Sequence, residues 1–295
     1  MSRIDGILLL DKPAGVSSNG ALQQVKRALG ADKAGHTGSL DPLATGMLPI
    51  CLGEATKVSG HLLGARKCYV ATIALGVTTT TADADGEVLE RRPVPPLERR
   101  AVEALLARFV GRITQRPPAY SAIKRDGVPL YRLARRGIAV EAPLREVVIE
   151  SIELLALDAG SLAIRVVCGS GTYIRSLATD LGDALGCGAH LSALRREWVE
   201  PFADAPMVTI DAILAAAPGK VAGLLLPVEA GLASMPRVDF DQAEAGLLCN
   251  GIAQSRPGLP WHGPGRAHGP DGRLLALVEV DPAGLVRPRR VFVAG

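Results

Sequence analysis

The sequence predicts a mixed α+β chain followed by a small β-rich unit. Three observations carry this. Strand-like runs of β-branched and apolar residues are interspersed with stretches whose apolar residues recur at helical spacing. Two of the runs, residues 147–157 and Ser161–Cys168, flank Asp158-Ala159-Gly160 and read as paired strands. After Pro227 the character shifts to short segments, with strands at Leu274–Val280 and 290–293 and a Gly/Pro-rich loop at 258–272. A chain of 295 residues is long for one core. The boundary is placed to give units 1–233 and 234–295.

Residues 7–10 form the first strand, which stops at Asp11-Lys12-Pro13. Ser17 or Ser18 caps a helix with Ala21, Leu22, Val25 and Leu29 on one face. Residues 33–49 have no clean helical or strand period. They are both apolar and glycine-rich, so they form a packed loop, and packed loops often carry function. Lys67–Leu75 is rich in β-branched residues and ends at Gly76, which makes it a strand. Residues 78–86 are a polar hairpin or loop, and 91–96 a proline-rich break. A helix follows over 97–110, with Val102, Leu105, Leu106 and Phe109 at helical spacing. Arg116-Pro117-Pro118 breaks the chain again before a basic helix. There Arg132, Arg135 and Arg136 share a face. With Arg116, Lys124 and Arg125 they form a cluster able to grip phosphates. Ile174, Leu177, Leu181 and Leu185 mark a further amphipathic helix, with Arg175 just off its stripe.

Composition narrows the function classes. Hydrophobic residues make up 48% and aromatics 3%, so the core is mostly Leu, Val, Ile and Ala. No apolar run approaches membrane-spanning length, and the opening M-S-R-I-D-G lacks a signal-peptide core. The five cysteines are scattered with no C-x-x-C pair, which suggests neither a disulfide framework nor a cysteine zinc site. A reduced cytoplasmic protein, with no membrane partner and no metal, is expected. Net charge is only +3, so the basic cluster says more about partners than the total does.

The most informative stretch is residues 35–46, G-H-T-G-S-L-D-P-L-A-T-G. It puts one carboxylate, Asp41, between Leu40 and Leu43 in a loop of small and turn-forming residues. An isolated Asp-Pro is usually a turn. An aspartate flanked by leucines on a packed loop is better suited to the wall of a pocket.

From Ala34 to Gly46 the chain resembles the catalytic loop of the TruB-type tRNA pseudouridine synthases, A-G-H-T-G-x-L-D-P-x-A-x-G. Other segments resemble that family in the family's order: I-L-L-L-D-K-P-A-G-V-S-S (7–18), K-C-Y-V-A (67–71), Q-R-P-P-A-Y-S-A-I-K (115–124), G-T-Y-I-R-S-L (171–177) and G-C-G-A-H-L-S-A-L-R-R (186–196). The resemblance implies a largely antiparallel central sheet with flanking helices and a site in a central cleft. For residues 234–295 it implies a small PUA-like RNA-binding domain, on position and on L-L-C-N-G (247–251).

The implied reaction moves C1′ of uridine from N1 to C5 of the same base. It is an isomerisation and needs no cofactor. It needs a carboxylate beside C1′, a platform for the detached ring and a base for the C5 proton. The resemblance assigns the carboxylate to Asp41, which either attacks C1′ or removes the C2′ proton. It assigns the stacking platform and C5 base to Tyr69. Arg175 matches the family arginine that pairs with the catalytic aspartate, a charge that would favour the ionised form of Asp41. By the same resemblance Tyr173 borders this pocket, Leu194 matches a family leucine that packs on the base, and His36 matches a family histidine that contacts the disrupted RNA. Lys12 positions the loop or touches phosphate. Thr172 can cap the helix that carries Arg175. The target must leave its stack to reach Asp41.

One departure stands out. Family members commonly carry an acidic residue between two threonines after the tyrosine strand, and here Thr80 occupies that place. The reading is a monomeric synthase acting on uridine 55 in the tRNA T arm without an obligatory protein partner. A non-catalytic RNA-binding protein is disfavoured by the presence of Asp41, Tyr69 and Arg175. A guide-RNA-dependent relative is disfavoured by the short N-terminus and the absence of lysine-rich tails. A hydrolase using Asp41 lacks a second carboxylate or a metal cluster.

Overall fold

The first strand, β1 (Gly6–Lys12), is apolar up to Leu10 and buries both of its faces. Leu8 and Leu10 enter one core cluster, Ile7 and Leu9 another. A computed structural model describes residues 4–121, 123–125, 127–134, 136, 138, 140, 142–216 and 221–292. Along the chain β1 is followed by α1 (Ser18–Ala28), β2 (Ala34–His36), β3 (Thr45–Leu52), α2 (Ser59–Gly64), β4 (Lys67–Leu75), β5 (Val77–Thr79), β6 (Val88–Arg91), α3 (Arg99–Ala107) and β7 (Gly111–Gln115). Then come β8 (Lys124–Arg125), β9 (Val128–Pro129), α4 (Leu130–Ala134), β10 (Arg145–Asp158), β11 (Ser161–Cys168), α5 (Ile174–Ala184), β12 (Ala189–Val199) and α6 (Ile210–Ala215).

Eight of these strands build one sheet in the order β1-β3-β12-β4-β11-β10-β7, with β2 added alongside β3, while β5 pairs with β6 and β8 with β9. Neighbours run antiparallel except β3 and β12. The antiparallel sheet with flanking helices is the architecture expected. Helices α3 and α5 cover one face through Val102, Leu106, Leu177 and Leu181. At the β1 end, α1 and α6 cover the side of Leu8 and Leu10. Ser17 caps α1 by accepting the Gly20 N–H at 3.0 Å.

At β3 and β12 the backbones come so close that only glycine fits. A Cβ on Gly46 would lie 2.2 Å from the Arg196 carbonyl oxygen, and Gly46 has a φ of +97°. This contact ties the end of the Asp41 loop to β12.

Several sequence expectations need correcting. Residues 33–49 are not all loop, since β2 and most of β3 lie there. Strand β3 buries nearly every side chain, so it shows no alternation, and Pro49 sits within it. Strand β1 continues through Asp11 and Lys12. The basic helix is only α4, which holds Arg132, while Arg136 lies beyond its end and Arg135 lies outside the described residues. Residues 258–272 contain a strand.

That strand belongs to the C-terminal unit, made of β13 (Arg237–Asp239), α7 (Gln242–Cys249), β14 (Gln254–Ser255), β15 (Gly263–His268), β16 (Leu274–Val280) and β17 (Leu285–Val291). The sheet order is β13-β15-β16-β17-β14. Its core includes Val238, Phe240, Leu248, Val278 and Val286. The unit is also docked. Leu274, Leu277 and Phe292 pack on the cluster of Ile7, Val58 and Leu62, and Lys57 Nζ donates to the Val291 carbonyl at 2.7 Å. Among the described residues no helix is long and apolar enough to cross a membrane.

Candidate active site

Asp41 lies in the loop between β2 and β3, and that loop is held from beneath. Ser18, buried in the first turn of α1, accepts the Leu40 N–H at 2.7 Å and donates to the Leu40 carbonyl at 2.8 Å. The Gly15 N–H donates to the Pro42 carbonyl at 2.8 Å. Lys12 Nζ donates to the carbonyls of Pro13 at 2.8 Å and Val16 at 2.7 Å. Both neighbours of Asp41 in the chain are thus pinned, and its own side chain stays 38% exposed.

Arg175, the second residue of α5, meets that carboxylate with a two-point fork. Its Nε is 2.9 Å from Asp41 Oδ2, and its Nη2 donates to Oδ1 at 3.3 Å. The guanidinium is buried and its other donors are used. Nη1 donates to the Thr81 carbonyl at 3.1 Å, and Nη2 to the Tyr120 carbonyl at 2.9 Å. The buried carboxylate of Asp83 stands 3.5 Å from Nη1. The proline-rich segment braces the start of α5. Gln115 accepts the Tyr173 N–H at 3.0 Å and returns a bond to the Tyr173 carbonyl at 3.3 Å. Tyr173 itself occupies the cap position, and the Thr172 hydroxyl donates to the Gly169 carbonyl instead of capping.

Burial pushes the Asp41 carboxyl above its ordinary pKa. The Arg175 charge opposes this most, Asp83 and Asp85 reinforce it, and Lys12 opposes it weakly. Burial also pushes the Tyr69 phenol up, and the Arg196 charge pulls it back. Lys12 and Lys67 are each lowered by burial to about 8. His36 is lowered by burial and by Arg196, and its Nδ1 is buried without a hydrogen-bond partner.

Asp41, Tyr69, Arg175, His36, Tyr173 and Leu194 all line one open cleft of about 1370 Å³. Six of the seven residues named from sequence therefore share a cavity. The seventh, Lys12, is fully buried under the loop with its ammonium on backbone carbonyls. Of the two roles expected for it, this place is the one suited to holding the loop. Thr80 also lines the cleft, and its hydroxyl accepts the Glu87 N–H at 3.1 Å.

Sequence reasoning missed four residues here: Ser18, Lys67, Asp83 and Arg196. Asp83 reads as a turn aspartate in T-A-D-A-D-G, and only the fold sets it against Arg175. Arg196 and Lys67 carried little signal, since Arg196 stands between Arg195 and Glu197 and Lys67 follows Arg66. Among the described residues no His/Cys/Asp/Glu group is arranged to hold a metal.

A family model described as TruB family pseudouridylate synthase, N-terminal domain, matches residues 26–174, and one described as tRNA pseudouridylate synthase B C-terminal domain matches 175–233. The chain is 54% identical over 291 residues to a tRNA pseudouridine synthase B of Xanthomonas axonopodis pv. citri, covering 98% of this chain and 94% of that one. It is 50% identical over 297 residues to a tRNA pseudouridine synthase B of Ectopseudomonas mendocina, covering 99% and 97%. Among solved structures it is similar to a chain of an H/ACA RNP bound to a substrate RNA containing 2′-deoxyuridine, with a TM-score of 0.76 at 25% identity, covering 98% of this chain and 85% of that one. A chain of a Cbf5-Nop10-Gar1 complex matches with the same TM-score and coverage at 27% identity. With the fold, the cleft and near full-length identity in agreement, the chain belongs to the TruB family of pseudouridylate synthases, a family of isomerases.

Proposed function

We propose that this chain isomerises the uridine at position 55 in the T arm of tRNA to pseudouridine. It works as a cytoplasmic monomer with no obligatory protein partner. The observation that carries the reading is the fork of Arg175 on Asp41 at the wall of an open cleft that also holds Tyr69. A desolvated carboxylate needs such a cation to stay ionised near neutral pH. Ionised Asp41 can attack C1′ or take the C2′ proton, and either step breaks the C1′–N1 bond and frees the base from the sugar.

A flipped nucleotide enters beside Asp41, and its base lies between the Tyr69 ring and Leu194. The detached ring turns until C5 faces C1′. C5 bonds to C1′, the Tyr69 oxygen takes the C5 proton, Tyr173 borders the base pocket and His36 contacts the displaced RNA. Residues 234–295 act as an RNA-binding domain that adds affinity for the tRNA body. The tRNA reading is supported by identity, 54% to a tRNA pseudouridine synthase B against 25–27% to the chains from the H/ACA RNP and the Cbf5-Nop10-Gar1 complex.

The test is an unmodified tRNA transcript, with pseudouridine mapped after incubation. Asp41→Asn is expected to abolish turnover while RNA affinity stays within about tenfold, or about 1.4 kcal/mol. Multiple turnover by a clean Asp41→Asn preparation would remove Asp41 from the mechanism. Wild-type product outside the T arm would overturn the assigned position.

A further inference from the structure

We propose that Arg196 is a positioning residue for Tyr69, fixing its phenol and stabilising the phenolate that takes the C5 proton. This rests on the uridine-isomerising reading above. The two residues are directly opposed in the sheet, since Arg196 of β12 and Tyr69 of β4 are cross-strand partners. Side chains so opposed stand on one face, close together. Both line the cleft.

Arg196 is an unusual side chain to bury. It is 1% exposed. Among the described residues no carboxylate lies within ion-pair distance of it. A buried guanidinium normally has one. Its place is held by backbone oxygens instead: Nε donates to the Met47 carbonyl at 2.7 Å and Nη2 to the Gly38 carbonyl at 3.0 Å. Gly38 lies in the Asp41 loop and Met47 in β3 just after it, and Gly46 packs against the Arg196 backbone. The result is a fixed positive charge inside the protein, next to a phenol that can become negative.

Other groups near Tyr69 act in both directions. Lys67 lies two residues before it on the same face of β4, and its Nζ donates to the Leu63 carbonyl at 3.0 Å. Asp41 from the loop and the Cys168 thiol from β11 disfavour the phenolate, while Arg196 favours it. Arg196 is thus the main fixed charge offsetting burial of the phenolate.

The proton balance is complete without a co-reactant. The C5–H bond breaks and its electron pair restores the C5=C6 double bond. The phenolate oxygen gains the proton. N1, which lost its bond to C1′, takes up a proton in turn, and the phenol returns to phenolate by passing one on. The net change is one proton from C5 to N1.

The test reads the phenol in the free protein, where no catalysis is required. The chain has four tyrosines. Labelled with 13C at the tyrosine ring carbon bearing oxygen, they can be titrated by NMR, with Tyr69 assigned through Tyr69→Phe. The midpoint for Tyr69 is expected to rise by about one pH unit in Arg196→Met and to stay near wild type in Arg196→Lys. In the rate assay, Arg196→Met is then expected to lose about tenfold in kcat with KM little changed. The loss should shrink as pH rises, because the phenolate is the working form.

If Arg196→Met does not fold, Arg196→Gln keeps a donor for the Met47 carbonyl and carries the same comparison. An unchanged Tyr69 midpoint in a folded, charge-removed variant would overturn the proposal. A shifted midpoint in a protein that forms no pseudouridine would support the coupling of Arg196 to Tyr69 and defeat the functional reading instead.

Discussion

Two carboxylates share one guanidinium at the wall of the cleft. Arg175 forks onto Asp41 and also faces Asp83. The arrangement gives opposite expectations for two single substitutions. Arg175→Met removes the largest influence that keeps Asp41 ionised, so the Asp41 pKa rises further. Activity needs the ionised form, so the acid limb of the rate profile moves to higher pH and the loss is greatest at low pH. Asp83→Asn removes a nearby negative charge, so the limb moves to lower pH. The plateau should fall as well, because Asp83 helps to aim the guanidinium. The check is the pH dependence of single-turnover rate for both variants. Limbs that stay in place would show that Arg175 serves packing alone. At this scale Asp41 was legible from the unusual composition of its loop, and Arg175 from the resemblance of G-T-Y-I-R-S-L to a family motif. Asp83 was not, because a turn aspartate and a buried counter-charge look alike until the chain folds.

Tyr69 raises a second residue-level expectation. Tyr69→Phe keeps the ring and removes the oxygen. RNA binding should survive and most product formation should be lost. A variant as fast as wild type would leave Tyr69 as a stacking or core residue only.

The elements divide by how their strands are buried. Strands β4, β10 and β11 were legible, as β-branched runs closed by a glycine or paired about a tight turn. Strand β3 was hidden because it is covered on both faces and contains Pro49, so neither alternation nor β propensity marks it. Strand β12 was hidden by two register shifts, near Ser192 and Glu197, which break its period. The β3–β12 contact makes Gly46 critical. Gly46→Ala would put a methyl group against the Arg196 carbonyl and force a left-handed conformation, so a cost above about 2 kcal/mol is expected in urea unfolding. Gly30 is the control. Its φ is +61° with open space around it, so Gly30→Ala should cost about 1 kcal/mol. Equal costs would show that strain alone, and not the close approach, makes Gly46 necessary.

Across the whole molecule, the C-terminal unit has a core of its own and also roofs a cluster of the larger unit. Leu274, Leu277 and Phe292 cover Ile7, Val58 and Leu62. Glu229 adds a polar tie, since its carboxylate takes Arg266 Nη1 and His268 Nε2, each at 2.8 Å. Truncation after Ala233 is therefore expected to lower Tm as well as tRNA affinity, because it leaves apolar surface bare. Single-turnover conversion at saturating RNA should stay close to normal below the new Tm, since Asp41, Tyr69 and Arg175 sit on elements that do not form that seam. An unchanged Tm would mean that the seam contributes nothing to stability. An unchanged affinity would remove RNA binding from the C-terminal unit.

The amino-acid order alone marked Asp41, a carboxylate between leucines on a packed loop, while Tyr69 and Arg175 stood out only through the resemblance of whole motifs to the family. It also determined the mixed fold class and the late change to β structure, since both follow from local period and turn residues. Only the tertiary structure decided how those groups are charged and aimed. Lys12 became a buried brace for the Asp41 loop, Asp83 became the second partner of Arg175, and Arg196 became a fixed cation opposite Tyr69. None of these follows from neighbours in sequence. They arise from strand register, close backbone approach and loss of water, which exist only once distant segments have packed together.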